Sequence, residues 1–412
     1  MTARSPASLP RFAPRLLILV LALTLATAGL LPARGQVRPV VLDDPSRPRP
    51  LVEPPLFPPR QAALESLWNV PSGGTVIDGF LAGPGGIIYA VREGTVRFLA
   101  PKTGELIWSR DLGEALRFAP LGSRGRVFLV RGQSLEALAA TDGRTLWNVP
   151  LPAPPVFAPT TDGTRIVSTL EKGTVASFAA ETGKVIWVGQ TGCEASSPAG
   201  LGSGLVVVGC EDGRLAGLDA ASGRVKWLRQ SRARIRTRPL VLGHSILTGN
   251  DAGEFISWGS KHGRRRFTAH IAADALASPV RHRNLVLVGG LDNLLYGFRL
   301  RSGFLAWSAD VGTRVLTPPA TRAFVAVNFP PLATKIVTVD TRDGTILAET
   351  PVEEKGQVSA AGPVFAGAVL VCSTRSLAGG PGRVAGFKVE VKELPYQPLA
   401  YRSDRRPGSI LP

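Results

Sequence analysis

The sequence predicts an all-β protein, an eight-bladed β-propeller, and three observations carry that prediction. The first is punctuation: 46 glycines and 35 prolines among 412 residues interrupt nearly every window that a long helix would need. The second is a turn glycine followed four residues later by a large aromatic, returning at a nearly constant interval. The third is a proline that returns at the same interval, out of phase with the glycine.

The turn glycines are Gly104, Gly143, Gly183, Gly223, Gly263, Gly303 and Gly344, spaced 39, 40, 40, 40, 40 and 41 residues apart. Four residues beyond them stand Trp108, Trp147, Trp187, Trp227, Phe267, Trp307 and Ala348, and Trp68 lies 40 residues before Trp108. The prolines are Pro120, Pro159, Pro198, Pro239, Pro279, Pro319 and Pro363. Two independent markers at one period define a structural repeat of about 40 residues.

Each unit holds four short candidate strands; in the fourth they are predicted at Ala195–Ala199, Leu205–Val208, Arg214–Asp219 and Val225–Leu228. Four strands per unit describe a propeller blade. A helical solenoid of this period would need amphipathic runs of ten or more residues, and none occurs between Trp68 and Val391. Seven complete units end at Ala348. The remainder supplies three strands, Val358–Val364, Ala368–Cys372 and Arg383–Val389, and Glu65–Val70 supplies a fourth from the other end of the chain. Joining them closes an eighth blade and leaves no free sheet edge; seven blades is the alternative if the last segment packs outside the ring. Trp68, Trp108, Trp147, Trp187, Trp227, Phe267 and Trp307 are then expected to dock one blade on the next. Each buried indole removes about 150–250 Å² from water.

Four segments follow: an export leader at 1–35, a proline-rich linker at 36–62, the propeller at 63–392 and a basic tail at 393–412. In the leader, Arg11 and Arg15 precede the apolar run Leu16–Leu31, and small-residue cleavage triplets follow at Ala26–Ala28 and Ala33–Gly35. No cysteine ends that run, since the first is Cys193, so lipid attachment there is not expected. The expected location is periplasmic or secreted, with inner-membrane anchoring by an uncleaved leader as the alternative. The formal charge is +17, and without the four arginines of residues 1–35 it is still +13. Such a balance bears on acidic partners and surfaces rather than on fold. Three cysteines suit an oxidising compartment: Cys193 and Cys210 flank a hairpin whose bend is read at Pro198–Gly204, and both the bonded and the reduced pair are open. Cys372 is left as a buried free thiol if they bond.

The phrase Ala216-Gly217-Leu218-Asp219-Ala220-Ala221-Ser222-Gly223-Arg224-Val225-Lys226-Trp227 resembles the tryptophan-docking repeat of pyrroloquinoline quinone (PQQ)-type propellers, and the likeness runs over residues 65–391. The resemblance implies one of two roles. Quinoprotein dehydrogenases of this family hold PQQ and calcium; a non-catalytic group, typified by BamB, serves β-barrel assembly in the outer membrane. The near-constant period, the lack of large insertions and the absence of an adjacent Cys-Cys pair resemble the BamB-like group more closely. That group's lipid anchor has no counterpart in this leader. The resemblance does not by itself assign function.

No nucleophile elbow, phosphate-binding loop or zinc-protease motif occurs, and Gly200–Gly204 joins two strands rather than opening a helix. His244, His262 and His282 are read as turn residues. No catalytic residue and no metal ligand is assigned. One cluster does stand out: Arg229, Arg232, Arg234, Arg236 and Arg238 crowd the entry to the fifth blade, and the last four alternate, so an extended chain would place them on one side. Four guanidinium groups on one side call for an anionic counterpart. A second basic cluster, Lys261 with Arg264, Arg265 and Arg266, is expected on the opposite rim. The expected function is a non-enzymatic periplasmic or envelope scaffold that binds an envelope protein through its loops, with an anionic surface or polyanion as a further partner. It is expected to be monomeric by itself, to bind no nucleic acid and no cofactor, and to be integral to a membrane only if the leader is retained. The alternatives are a PQQ- and calcium-dependent oxidoreductase and a ligand- or polysaccharide-binding sensor.

Overall fold

A computed structural model of the chain describes residues 58–77, 80–83, 85–352, 356–377 and 382–395. The leader, most of the linker and most of the tail lie outside these residues. The described residues form eight four-stranded antiparallel sheets, and their helical content is a single 3₁₀ turn at Glu171–Gly173. Seven sheets are built from consecutive strands. The eighth joins Gln357–Ala366, Val369–Ser376 and Arg383–Glu393 to Arg60–Pro71, which pairs from Arg60 opposite Glu393 to Pro71 opposite Arg383 with a bulge between Ser66 and Trp68. The ring therefore has eight blades, closed by hydrogen bonds between the two ends of the chain.

Blade 4 shows how the sequence dictates the pattern. Its second strand, Leu205–Gly209, is buried throughout, as expected for a strand covered on both faces by neighbouring blades. Its fourth, Val225–Gln230, exposes Val225 and buries Trp227, as a half-covered outer strand does. The first strand is Gly200–Gly202, not Ala195–Ala199. Its register is fixed by a two-residue turn at Ser203 and Gly204, whose φ angles of 51° and 69° match the twist of a tight hairpin. Pro198 brings no N–H to the ladder. Ala195 makes only an isolated bridge to Cys210.

The glycine and tryptophan markers are neighbours in sequence but partners across blades. Trp187 of blade 3 lies on Gly223 of blade 4, Trp227 on Gly263, and Trp307 on Gly344; a Cβ added at Gly223 would sit 2.4 Å from the Trp187 ring. Each of these glycines also has positive φ, 72° at Gly223, so backbone and packing both require glycine there. The indole N–H groups of Trp68, Trp108, Trp187, Trp227 and Trp307 donate to backbone carbonyls of the following blade at 2.9–3.0 Å, as Trp227 does to Ser260. The hydrophobic clusters follow the same logic: one combines Val167, Val175 and Trp187 of blade 3 with Val206, Val208 and Leu218 of blade 4. Ala348 now has a reason. The eighth blade draws its third and fourth strands from opposite chain ends, so it has no turn of this type for an indole to cover.

Antiparallel pairing sorts the loops onto two faces. The crossings from each fourth strand to the next blade, with the second-to-third turns, form a crossover face. The first-to-second and third-to-fourth turns form the far face. Arg60 and Glu393, where the closing strands begin and end, lie on the far face, and Arg60 pairs there with Asp340 of blade 7 at 3.3 Å.

Candidate partner-docking site

The arginine run occupies the crossing from blade 4 to blade 5. Alternation places Ile235 and Thr237 inside, both fully buried, and turns the intervening arginines outward. The buried residues pin the run: Thr237 Oγ1 accepts from Gly249 N at 2.8 Å, and the Ile235 carbonyl accepts from Ser196 Oγ at 2.7 Å. Asp251, in the second-to-third turn of blade 5, accepts through one carboxylate oxygen from Arg234 Nε at 2.9 Å and Arg236 Nε at 3.1 Å. Glu211, in the corresponding turn of blade 4, accepts from Arg234 Nη1 at 2.8 Å. These two carboxylates, Glu211 first, raise the pKa of Arg234 above the usual arginine value.

The expectation of four like charges awaiting an outside anion is therefore modified. Two of the four are met within the chain, because turns 15–23 residues away bring carboxylates beside them. With Arg238 elsewhere, the group of Arg232, Arg234 and Arg236 with Glu211 and Asp251 keeps an excess of one positive charge. Arg229 does not belong to it. It lies on the outer strand of blade 4, with its stem against Gly263 of blade 5.

Arg238 reaches into the central channel. There it helps line a space of about 590 Å³ with Phe80 of blade 1, Thr317 and Pro319 of blade 7, and Pro363 and Phe365 of blade 8. Channel solvent wets its guanidinium, yet protein surrounds it, and that desolvation lowers its pKa. Of the repeating prolines, Pro319 and Pro363 stand at this space, beside inner strands where a residue without an N–H has no ladder bond to lose.

A quinone–calcium pair was one implication of the resemblance. Calcium requires six to eight converging oxygen ligands. The described lining of this space is proline, glycine, aliphatic, aromatic and threonine with one cation and no carboxylate, and among the described residues no three His, Cys, Asp or Glu side chains converge. The donor set does not fit that pair.

The crossover face is braced next to the arginine run. Cys193, in the crossing into blade 4, is disulfide-bonded to Cys210 at the end of that blade's second strand, with Cα atoms 5.9 Å apart. On blade 6, Tyr296 donates to Asp292 at 2.5 Å, and burial, then this bond, pushes its phenol up to about 12. Cys372 is a buried thiol whose pKa is raised by desolvation. His282 is not a solvated turn residue: it ends the first strand of blade 6, is buried, and has its pKa lowered chiefly by desolvation.

Comparison with known proteins adds the following. A family model described as "Outer membrane protein assembly factor BamB" matches residues 65–157, 92–241 and 236–384. Among solved structures, BamB from Moraxella catarrhalis superposes with a TM-score of 0.63 at 16% identity, covering 79% of this chain and 100% of that one. A computationally designed protein, Ika8, gives 0.67 at 15% identity, covering 78% and 99%. The quinohemoprotein alcohol dehydrogenase ADHIIG from Pseudomonas putida gives 0.63 at 13% identity, covering 81% and 78%. No curated protein matches the chain significantly by sequence. At these identities the superpositions speak for the propeller alone.

Proposed function

We propose that this chain, which belongs to the PQQ-repeat propeller family of the outer membrane protein assembly factor BamB, is a non-enzymatic scaffold of the cell envelope that docks a protein partner on its crossover face. The observation that carries the reading is the ordered arginine run. Buried Ile235 and Thr237 hold its backbone, Asp251 and Glu211 fix two of its side chains, and a net excess of positive charge faces outward. A charged patch already held in one geometry loses little side-chain entropy on binding and sets orientation and association rate. The partner it suits carries acidic side chains, since guanidinium groups bind carboxylates in bidentate fashion. The disulfide at Cys193–Cys210 and the Tyr296–Asp292 bond brace the same face. The space beside Arg238 agrees with the same reading, because its described lining supplies one cation and no carboxylate, histidine or cysteine.

The test is affinity purification of tagged protein after light crosslinking in its own cells, beside the R232E/R234E/R236E variant. The proposal expects an envelope partner, a component of outer-membrane protein assembly, at near-stoichiometric yield with the unaltered protein and at least tenfold less with the variant. Equal recovery by the two proteins would show that the arginine run is not the docking element.

A further inference from the structure

The far face of blades 5 to 7 differs in chemistry from the crossover face. Arg264 of blade 5, Arg281, Arg283, Arg299 and Arg301 of blade 6 and Arg322 of blade 7 are all exposed there, and none is paired with a carboxylate among the described residues. The acids of this sector are Asp340, already held by Arg60 and Arg342, and Asp343. On the crossover face, by contrast, cations meet acids, as Arg234 and Arg236 do. Blade 5 also opens a cleft of about 260 Å³ onto the far face, lined by His244, Lys261, His262, Arg264 and Arg266 without a carboxylate. The sector is continuous: Phe267 of blade 5 packs on Gly303 of blade 6, and the Arg283 guanidinium lies 3.9 Å from the ring centre of Phe324 on blade 7.

Amid these cations stands Phe304, 74% exposed, with Leu305 beside it at 52%. The repeat makes Phe304 anomalous. The residue directly after the turn glycine is Glu105, Arg144, Lys184, Arg224, Arg264 and Thr345 in the other complete units, all charged or polar. Among the complete units blade 6 alone presents an aromatic at this position, just after the turn that holds Arg301, with the Phe304 carbonyl accepting from Arg299 N at 2.9 Å. The closing strands begin and end on this face too, at Arg60 and Glu393. The sequence beyond them carries the apolar run Leu16–Leu31 on one side and Arg402, Arg405 and Arg406 on the other.

We propose that the far face of blades 5 to 7 is a docking surface for an anionic lipid bilayer, with the arginines on the headgroup phosphates and Phe304 inserted at the headgroup boundary. An unpaired cationic sector recognises phosphate, and each basic side chain near an anionic membrane strengthens attachment severalfold. An exposed aromatic within that sector distinguishes a bilayer from an acidic protein or soluble polyanion, because the apolar side chain gains only where an apolar phase lies beneath the charges. Attachment by this face would leave the arginine run on the crossover face free, so the inference is independent of the docking role proposed above.

Flotation of the full chain with phosphatidylglycerol-containing and with pure phosphatidylcholine vesicles tests it. Salt-sensitive binding to the anionic vesicles alone is expected. R299E/R301E should weaken that binding by about thirtyfold or more and F304S by about tenfold, with R232E on the other face leaving it unchanged. Circular dichroism confirms that the variants are folded, and F304W adds an independent readout, a blue-shifted emission on anionic vesicles only. Equal binding to both vesicle types, binding that survives R299E/R301E and F304S, or capture by polyglutamate without any vesicle binding would each overturn the proposal, the last in favour of an acidic protein partner.

Discussion

Replacing Trp227 and Trp147 by phenylalanine separates packing from hydrogen bonding in the joint between blades. Both side chains lie on the turn glycine of the following blade, Gly263 and Gly183. Trp227 is nearly fully buried and donates to the Ser260 carbonyl at 3.0 Å. The Trp147 N–H is also out of contact with solvent but has no acceptor among the described residues. Phenylalanine at 227 removes a donor and orphans a buried carbonyl, a loss of about 1–3 kcal/mol, beyond the shrinkage of the ring. Phenylalanine at 147 removes a buried donor that was already unsatisfied, so relief of that group offsets part of the lost packing. W227F is therefore expected to cost about 2 kcal/mol and W147F less than about 1 kcal/mol, whereas alanine at either position should cost about 3–5 kcal/mol. Equilibrium urea unfolding followed by far-ultraviolet circular dichroism reads these as midpoint shifts at constant slope, without relying on the altered fluorescence. Equal destabilisation by the two phenylalanine variants would refute the assignment of a hydrogen bond to the joint.

Further outcomes follow from single contacts. Gly223→Ala meets both a φ of 72° and the Trp187 ring, whereas Gly204→Ala meets a φ of 69° and open space; the first should cost at least about 1 kcal/mol more than the second in the same unfolding assay. Replacing both Cys193 and Cys210 by serine opens a link of sequence separation 17 and should lower stability by about 3 kcal/mol, read as the urea midpoint under non-reducing conditions. Tyr296 has an ordinary value of 10.0 and is pushed up to about 12 in the fold, so the unfolded chain loses its proton first. Stability should then be intact below pH 10 and fall as pH rises toward 12, and Tyr296→Phe should flatten that slope. Deleting residues up to Pro71 removes the closing strand, exposes the edge of Arg383–Glu393, and should shift the protein toward larger, associating species on size exclusion relative to the full chain.

Much of this architecture was legible because the markers that repeat are the ones that pack. The glycine, aromatic and proline periods report the turn, the joint and the channel edge of each blade, and the incomplete units at the two ends report the closure. What the sequence concealed was pairing across units. Gly223 and Trp227 read as one phrase, yet Gly223 receives Trp187 and Trp227 is received by Gly263. The innermost strand of blade 4 was misplaced because Gly200-Leu201-Gly202 has little strand propensity, and a tight turn rather than composition selects it. The alternation separates the arginines from buried Ile235 and Thr237, but it does not reveal that Arg238 leaves the others and lines the channel. Their partial neutralisation was hidden because Asp251 and Glu211 lie in other turns. Phe304 left a signal that periodicity alone overlooks: the position after the turn glycine is charged or polar in every other complete unit.

The central claim, that the ring is a scaffold rather than an enzyme, is tested most directly by native mass spectrometry of the protein purified gently from its own cells. The account predicts a discrete complex with an envelope protein that the R232E/R234E/R236E variant does not form. A chain that arrives alone, carrying bound quinone and calcium and oxidising alcohols with an artificial acceptor, would contradict it.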